Sequence, residues 1–113
     1  MEIRFRSRKF EKACLEQRKG DAEWGLVRAG KIRRRIKELQ ACECLADMSL
    51  FPAAHFHPLR HNREGQFAVD LEQPYRLILE PLGDPLPYRP DGCLDLRRIT
   101  AVCIVKVEDY HGK

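Results

Sequence analysis

The sequence predicts an α+β fold: an N-terminal strand and a basic helical hairpin, then a mainly antiparallel sheet. Three observations lead there. Helical periodicity is confined to residues 7 to 40, alternation with period two takes over beyond Pro52, and the two regimes come as runs, not interleaved. Runs of helix followed by runs of strand place the helices on one face of a sheet whose strands are mostly neighbours in sequence.

Each element has its own signal. Glu2 to Phe5 alternate as a short strand, with Ile3 and Phe5 on one face, and Ser7 supplies an oxygen to cap a following helix. That helix is expected to end at Gly20, and its thin apolar face of Phe10, Ala13 and Cys14 needs a larger partner. The partner is a second helix from Asp21 to Gln40, with Ala29, Ile32, Ile36 and Leu39 as its stripe and Arg33, Arg34 and Lys37 on the opposite arc. "ECLADMSLFP" reads as one more helical turn, broken before Pro52 because the residue preceding proline disfavours the helical region. The strands follow in "GQFAVDL", "YRLILEPL" and "ITAVCIVKV". Residues 81–98, with four of the seven prolines within ten positions, form a long hairpin loop, either a mobile insertion or a partner contact.

A chain of 113 residues with 43% hydrophobic content supports one core, so a single domain over 1–113 is expected. No apolar stretch reaches the roughly 18 residues of a membrane helix, and "MEIRFRSRKF" alternates charge with hydrophobe instead of building a signal-peptide core. Five cysteines with no C-x-x-C spacing argue against a disulfide framework. The expectation is a soluble, unexported protein of the reducing cytoplasm. The formal charge of +4 hides an asymmetry: residues 1–40 carry 13 Lys/Arg against 6 Asp/Glu, and residues 41–113 carry 8 against 11. A basic half attracts a polyanion, nucleic acid or an acidic protein.

Two places carry candidate chemistry. "HFHPLRHNREGQF" gathers three histidines and two arginines ahead of a strand, and histidine is the side chain that most readily gains and loses a proton near neutrality, although a lone surface histidine is most often simply solvated. Arg76 lies inside "PYRLIL". With Tyr75, Leu77 and Leu79 facing the helices, it projects from the other face, where a guanidinium requires an anion, supplied by a structural salt bridge or by a substrate. Cys42, Cys44, His55 and His57 can be drawn as a zinc set. Structural zinc sites favour C-x-x-C turns, however, and residues two apart on a helix diverge, so no metal or cofactor is expected.

"HPLRHNREGQFAVDL", then "PYRLIL", then "DYH", in that order and spacing, resembles the RelE/ParE superfamily of bacterial toxins, and within it the HigB-like host-inhibition (killer) proteins. The likeness runs over most of the chain. It implies a RelE-like fold and a ribosome-dependent messenger-RNA endonuclease, a toxin silenced by a cognate helix-turn-helix antitoxin in an oligomeric complex. It carries catalytic roles to His57, Arg76, Asp109, Tyr110 and His111, while Arg60, Arg63, Arg33, Arg34 and Lys37 are candidate RNA contacts beside the plainer reading of solvated charge. Many members have Gly where His61 stands, and a much shorter hairpin than 81–98.

RNA is cut without metal when its 2′-hydroxyl attacks the adjacent phosphorus, which needs a base, an acid and positive charge on the phosphorane. His57 and His111 are suited to the proton transfers, Arg76 to the charge and Asp109 to orienting a histidine. Tyr110 is suited to stacking on a base or donating to phosphate, and which histidine is acid and which base stays open. Two other functions remain: a non-catalytic toxin of the gyrase-inhibiting branch, and a plain RNA- or ribosome-binding module.

Overall fold

The computed structural model describes residues 1–60, 63 and 65–109. Strand β1 (Glu2–Phe5) is followed by helices α1 (Arg8–Leu15) and α2 (Gln17–Ala41), strand β2 (His57–Pro58), and strands β3 (Phe67–Asp70), β4 (Tyr75–Pro81) and β5 (Ala101–Asp109). The sheet order is β1-β5-β4-β3-β2. β1 runs parallel to β5 and every other pair is antiparallel, so the fold is α+β with a mainly antiparallel sheet.

Ser7 caps α1 as its position demands, its Oγ accepting from the Phe10 amide at 3.1 Å. The hairpin joint falls at Glu16 and not at Gly20. Gly20 is instead buried inside α2, where an added Cβ would stand 2.6 Å from the Ala13 carbonyl oxygen; the glycine is there for close helix contact. The break within α2 is at Gly25, whose φ of +84° and ψ of 163° lie in a region open essentially to glycine alone.

The stripe of α2 packs as its spacing requires: Ala29, Ile32, Ile36 and Leu39 are buried, the last three in one core with Phe67, Val69, Leu77, Leu79, Val102 and Ile104 from the inner face of the sheet. The cysteine-rich connection forms two 3₁₀ turns, Leu45–Leu50 and Pro52–Ala54, and Leu45 and Met48 enter the same core. The 81–98 segment has structure of its own. Tyr88 bridges Leu94, the Arg89 amide donates to the Cys93 carbonyl at 2.7 Å, and Leu86, Leu94 and Leu96 pack against the core.

The sheet's outer face is different. Leu59, Ala68, Ile78 and Val105 form a small second cluster there, beside charged and polar residues. A β-bulge decides which residues of β5 join them. Leu79 pairs with Ile104 but Ile78 pairs with Lys106, so Val105 is an extra residue in β5. Without it, Lys106 and Glu108 would share the inner face with Ile104; with it, Val107 packs inward and Glu108 comes opposite Arg76. Among the described residues, no helix is long and apolar enough to cross a membrane.

Candidate active site

The candidate site lies where β2 meets the β3–β4 turn. His57 pairs with Ala68, and Asp70 with Arg76, so His57, Asp70 and Arg76 emerge on the outer face together. Between the two histidines Phe56 turns the other way and stacks on Phe67, centroids 5.1 Å apart and 4° from parallel. This apolar anchor sets the position of the H-F-H motif. His55 precedes the strand in a left-handed conformation, φ 46° and ψ 52°, and its ring lies 4.6 Å from that of His57.

The hydrogen bonds fix the chemistry available. His57 Nδ1 stands 2.7 Å from the His55 carbonyl oxygen. A carbonyl can only accept, so Nδ1 carries the proton and Nε2 of the neutral ring keeps its lone pair. His55 Nδ1 meets Asp70 Oδ2 at 3.2 Å. These three residues, with Gln73, Pro74, Tyr75 and Arg76, line a cavity of about 90 Å³. His57 and Arg76, two of the residues singled out from sequence, therefore share one small space.

Arg76 projects from the outer face while Leu77 and Leu79 enter the helix-side core and Tyr75 packs against it, as the alternation requires. Its guanidinium donates to Glu108 Oε2 through Nε at 3.0 Å and NH2 at 2.6 Å. The same oxygen accepts from Arg63 NH1 at 2.7 Å, and Lys106 Nζ is 3.5 Å from Glu108 Oε1. Three cations thus surround one carboxylate, which holds the guanidiniums in place and leaves positive potential beside the cavity. The hydrogen bond from Arg63 first, and that from Arg76, pull the Glu108 carboxyl down from 4.5 to about 2 against the opposing effect of burial.

The other expected residues are distributed. Asp109 is exposed and lies in register with Tyr75, one position on from the carboxylate that meets Arg76. Tyr110, His111 and His61 lie outside the described residues. Arg63 is bound into the Glu108 cluster and to Gln66. Arg60 is exposed and lines a groove of about 1330 Å³ with Leu59, Phe67 and the 86–97 segment. On α2, Arg34 and Lys37 are exposed, whereas Arg33 is half-buried 3.8 Å from Asp21. Cys42 is buried in the core, with its thiol donating to the Glu38 carbonyl at 3.3 Å, so the zinc set drawn from sequence does not assemble around it.

Sequence reasoning missed Asp70 in the cavity, Glu108 behind Arg76, and Arg35; His55, named there only in the histidine cluster and the zinc set, lies beside Asp70. Arg35 is 3% exposed and donates to the Asp70 carbonyl at 2.7 Å, to the Ala53 carbonyl at 3.0 Å and to Glu38 at 3.0 Å. It ties α2 to the strand bearing Asp70 and to the turn preceding His55. Arg28 does the same one step along, meeting Glu72 at 2.9 Å and covering the Tyr75 ring at 3.4 Å. The signal for both was helical phase, since positions 28 and 35 lie at the margin of the 29-32-36-39 stripe and not on the wet arc.

No family model matches the chain, and no curated protein matches it. Among solved structures, a YoeB/ParE toxin from Agrobacterium tumefaciens is similar, with a TM-score of 0.54 and 9% sequence identity over 96% of this chain and 98% of that one. The likeness is one of fold: the same α+β architecture from end to end.

Proposed function

We propose that this chain is the toxin of a toxin–antitoxin pair, of the RelE/ParE type with HigB-like motifs, and that it cleaves messenger RNA on the ribosome in the cytoplasm without a metal. The observation that carries the reading is the shared cavity of His57 and Arg76, in which the His57 ring offers a free Nε2 beside a guanidinium held by a carboxylate. The fold likeness to a toxin supports it. His57 takes or returns a proton through Nε2, and Arg76 neutralises charge gathering on the phosphorane. Glu108 holds the guanidinium plane so that little ordering is left for the moment of reaction. His111 supplies the second proton transfer, Tyr110 contacts a base or phosphate, and Asp109 tunes a histidine. Arg60 and Arg63, with Arg33, Arg34 and Lys37 on α2, meet the RNA backbone. The silencing partner is a helix-turn-helix antitoxin.

The Arg76–Glu108 pair also suits a second reading, a toxin that binds its target without chemistry, because a guanidinium locked by a carboxylate serves structure as readily as catalysis. Expression in growing cells separates the two. His57→Ala abolishes growth arrest on the first reading while the protein stays folded and still binds antitoxin; arrest of parental strength by that variant supports the second.

A further inference from the structure

We propose that His55, His57 and Asp70 form a site for a divalent late transition metal of the zinc, nickel or copper class. Two imidazoles and one carboxylate are the donor set such ions favour, and one donor atom from each residue lies within 4.8 Å of the others. His55 Nδ1 and Asp70 Oδ2 are 3.2 Å apart, close to the roughly 3.3 Å between ligand atoms of a tetrahedral centre with bonds of about 2.0–2.1 Å. The metal replaces the proton these two atoms now share.

The surroundings are built for the role. His57 Nδ1 donates to a backbone carbonyl, the outer contact that commonly fixes a ligating imidazole and presents Nε2 to the ion. Both flanks of the site are pinned by buried Arg35, through the Asp70 and Ala53 carbonyls. His55 is the one non-glycine residue with positive φ among the described residues, a strained conformation that brings its ring alongside His57. Its side chain is 68% exposed, so it is free to close the remaining distance. Arg76 lines the same cavity with its charge only partly offset by Glu108, and the remaining positive potential lowers the affinity for a cation without removing the donor set.

An ion bound there occupies the Nε2 that proton transfer needs, so the metal-bound form is the one that does not cleave, and the site itself is tested by binding alone. The experiment is calorimetric titration of the purified full chain with ZnCl₂. A Cys44→Ser, Cys93→Ser, Cys103→Ser background removes the half-buried and exposed thiols as competing donors. The expected result is saturable uptake of one Zn²⁺ per chain, weakened about tenfold or more by His55→Asn and by Asp70→Asn. Asparagine tolerates the left-handed backbone at position 55 and keeps the shape of the side chain at 70, and unchanged melting temperatures in EDTA verify that both variants fold. Absence of one-to-one uptake, or uptake undiminished in the double variant His55→Asn, Asp70→Asn, overturns the proposal.

Discussion

A carboxylate that accepts from two guanidiniums resists protonation, and Glu108 is such a group, held at about 2 by Arg63 and Arg76. Because its folded value lies below its ordinary 4.5, its contribution is fully present above pH 4.5 and is lost as pH falls toward 2. That difference corresponds to about 3 kcal/mol. In Glu108→Gln, melting temperature at neutral pH should fall, and its pH dependence between 5 and 2 should flatten relative to the parent. Equal acid limbs in the two proteins would show that the cluster contributes nothing. Glu108 was not legible in the sequence, whereas His57 and Arg76 were. The two visible residues sit in motifs with regular alternation. Glu108 reaches the outer face only through the bulge at Val105, and "AVCIVKVED" has no glycine or proline to mark that extra residue.

At the scale of elements, α2 is the lever that positions the site. Its apolar stripe could be read from spacing alone, because burial of Ile32, Ile36 and Leu39 needs only helical phase. The helix ends could not. Gly20 looked like a terminator and is a contact residue, and the break lies at Gly25, since glycine serves both needs equally well in sequence. In the run Arg33, Arg34, Arg35 the middle of the helix hides a division of labour: Arg34 has a 75% exposed side chain, and Arg35 is buried with two strand and turn carbonyls. Arg35→Met should therefore destabilise by about 2–4 kcal/mol in urea unfolding, because it strands buried acceptors and Glu38. Arg34→Ala should stay within about 0.5 kcal/mol. If the two cost the same, Arg35 does not brace the site.

For the whole molecule, charge and topology work together. The sheet presents its outer face, with His57, Arg76 and the Glu108 cluster, opposite the face packed by α2, and the exposed cations Arg34 and Lys37 lie on the helix itself. RNA engaging both would have to reach around the domain. Replacing Arg34 and Lys37 with alanine should leave melting unchanged and lower the salt dependence of ribosome or RNA association by up to about two phosphate contacts. An unaltered slope would reassign that arc to plain solvation. The 81–98 segment shows what composition conceals: prolines ruled out a long helix or strand, as the structure has it, but the packing of Leu86, Leu94 and Leu96 depends on contacts far apart in sequence.

The central claim is that a free imidazole nitrogen and a clamped guanidinium act on one phosphodiester. It is tested most directly by incubating translating ribosomes in Mg²⁺ buffer with the parent and with His57→Ala, in the presence of a chelator selective for zinc-class metals, and reading both the rate and the ends of the cut messenger. The account predicts parental cleavage that leaves 2′,3′-cyclic or 3′-phosphate ends, and a loss of about a hundredfold or more in the variant while its melting temperature is unchanged. Cleavage by folded His57→Ala at the parental rate would contradict it.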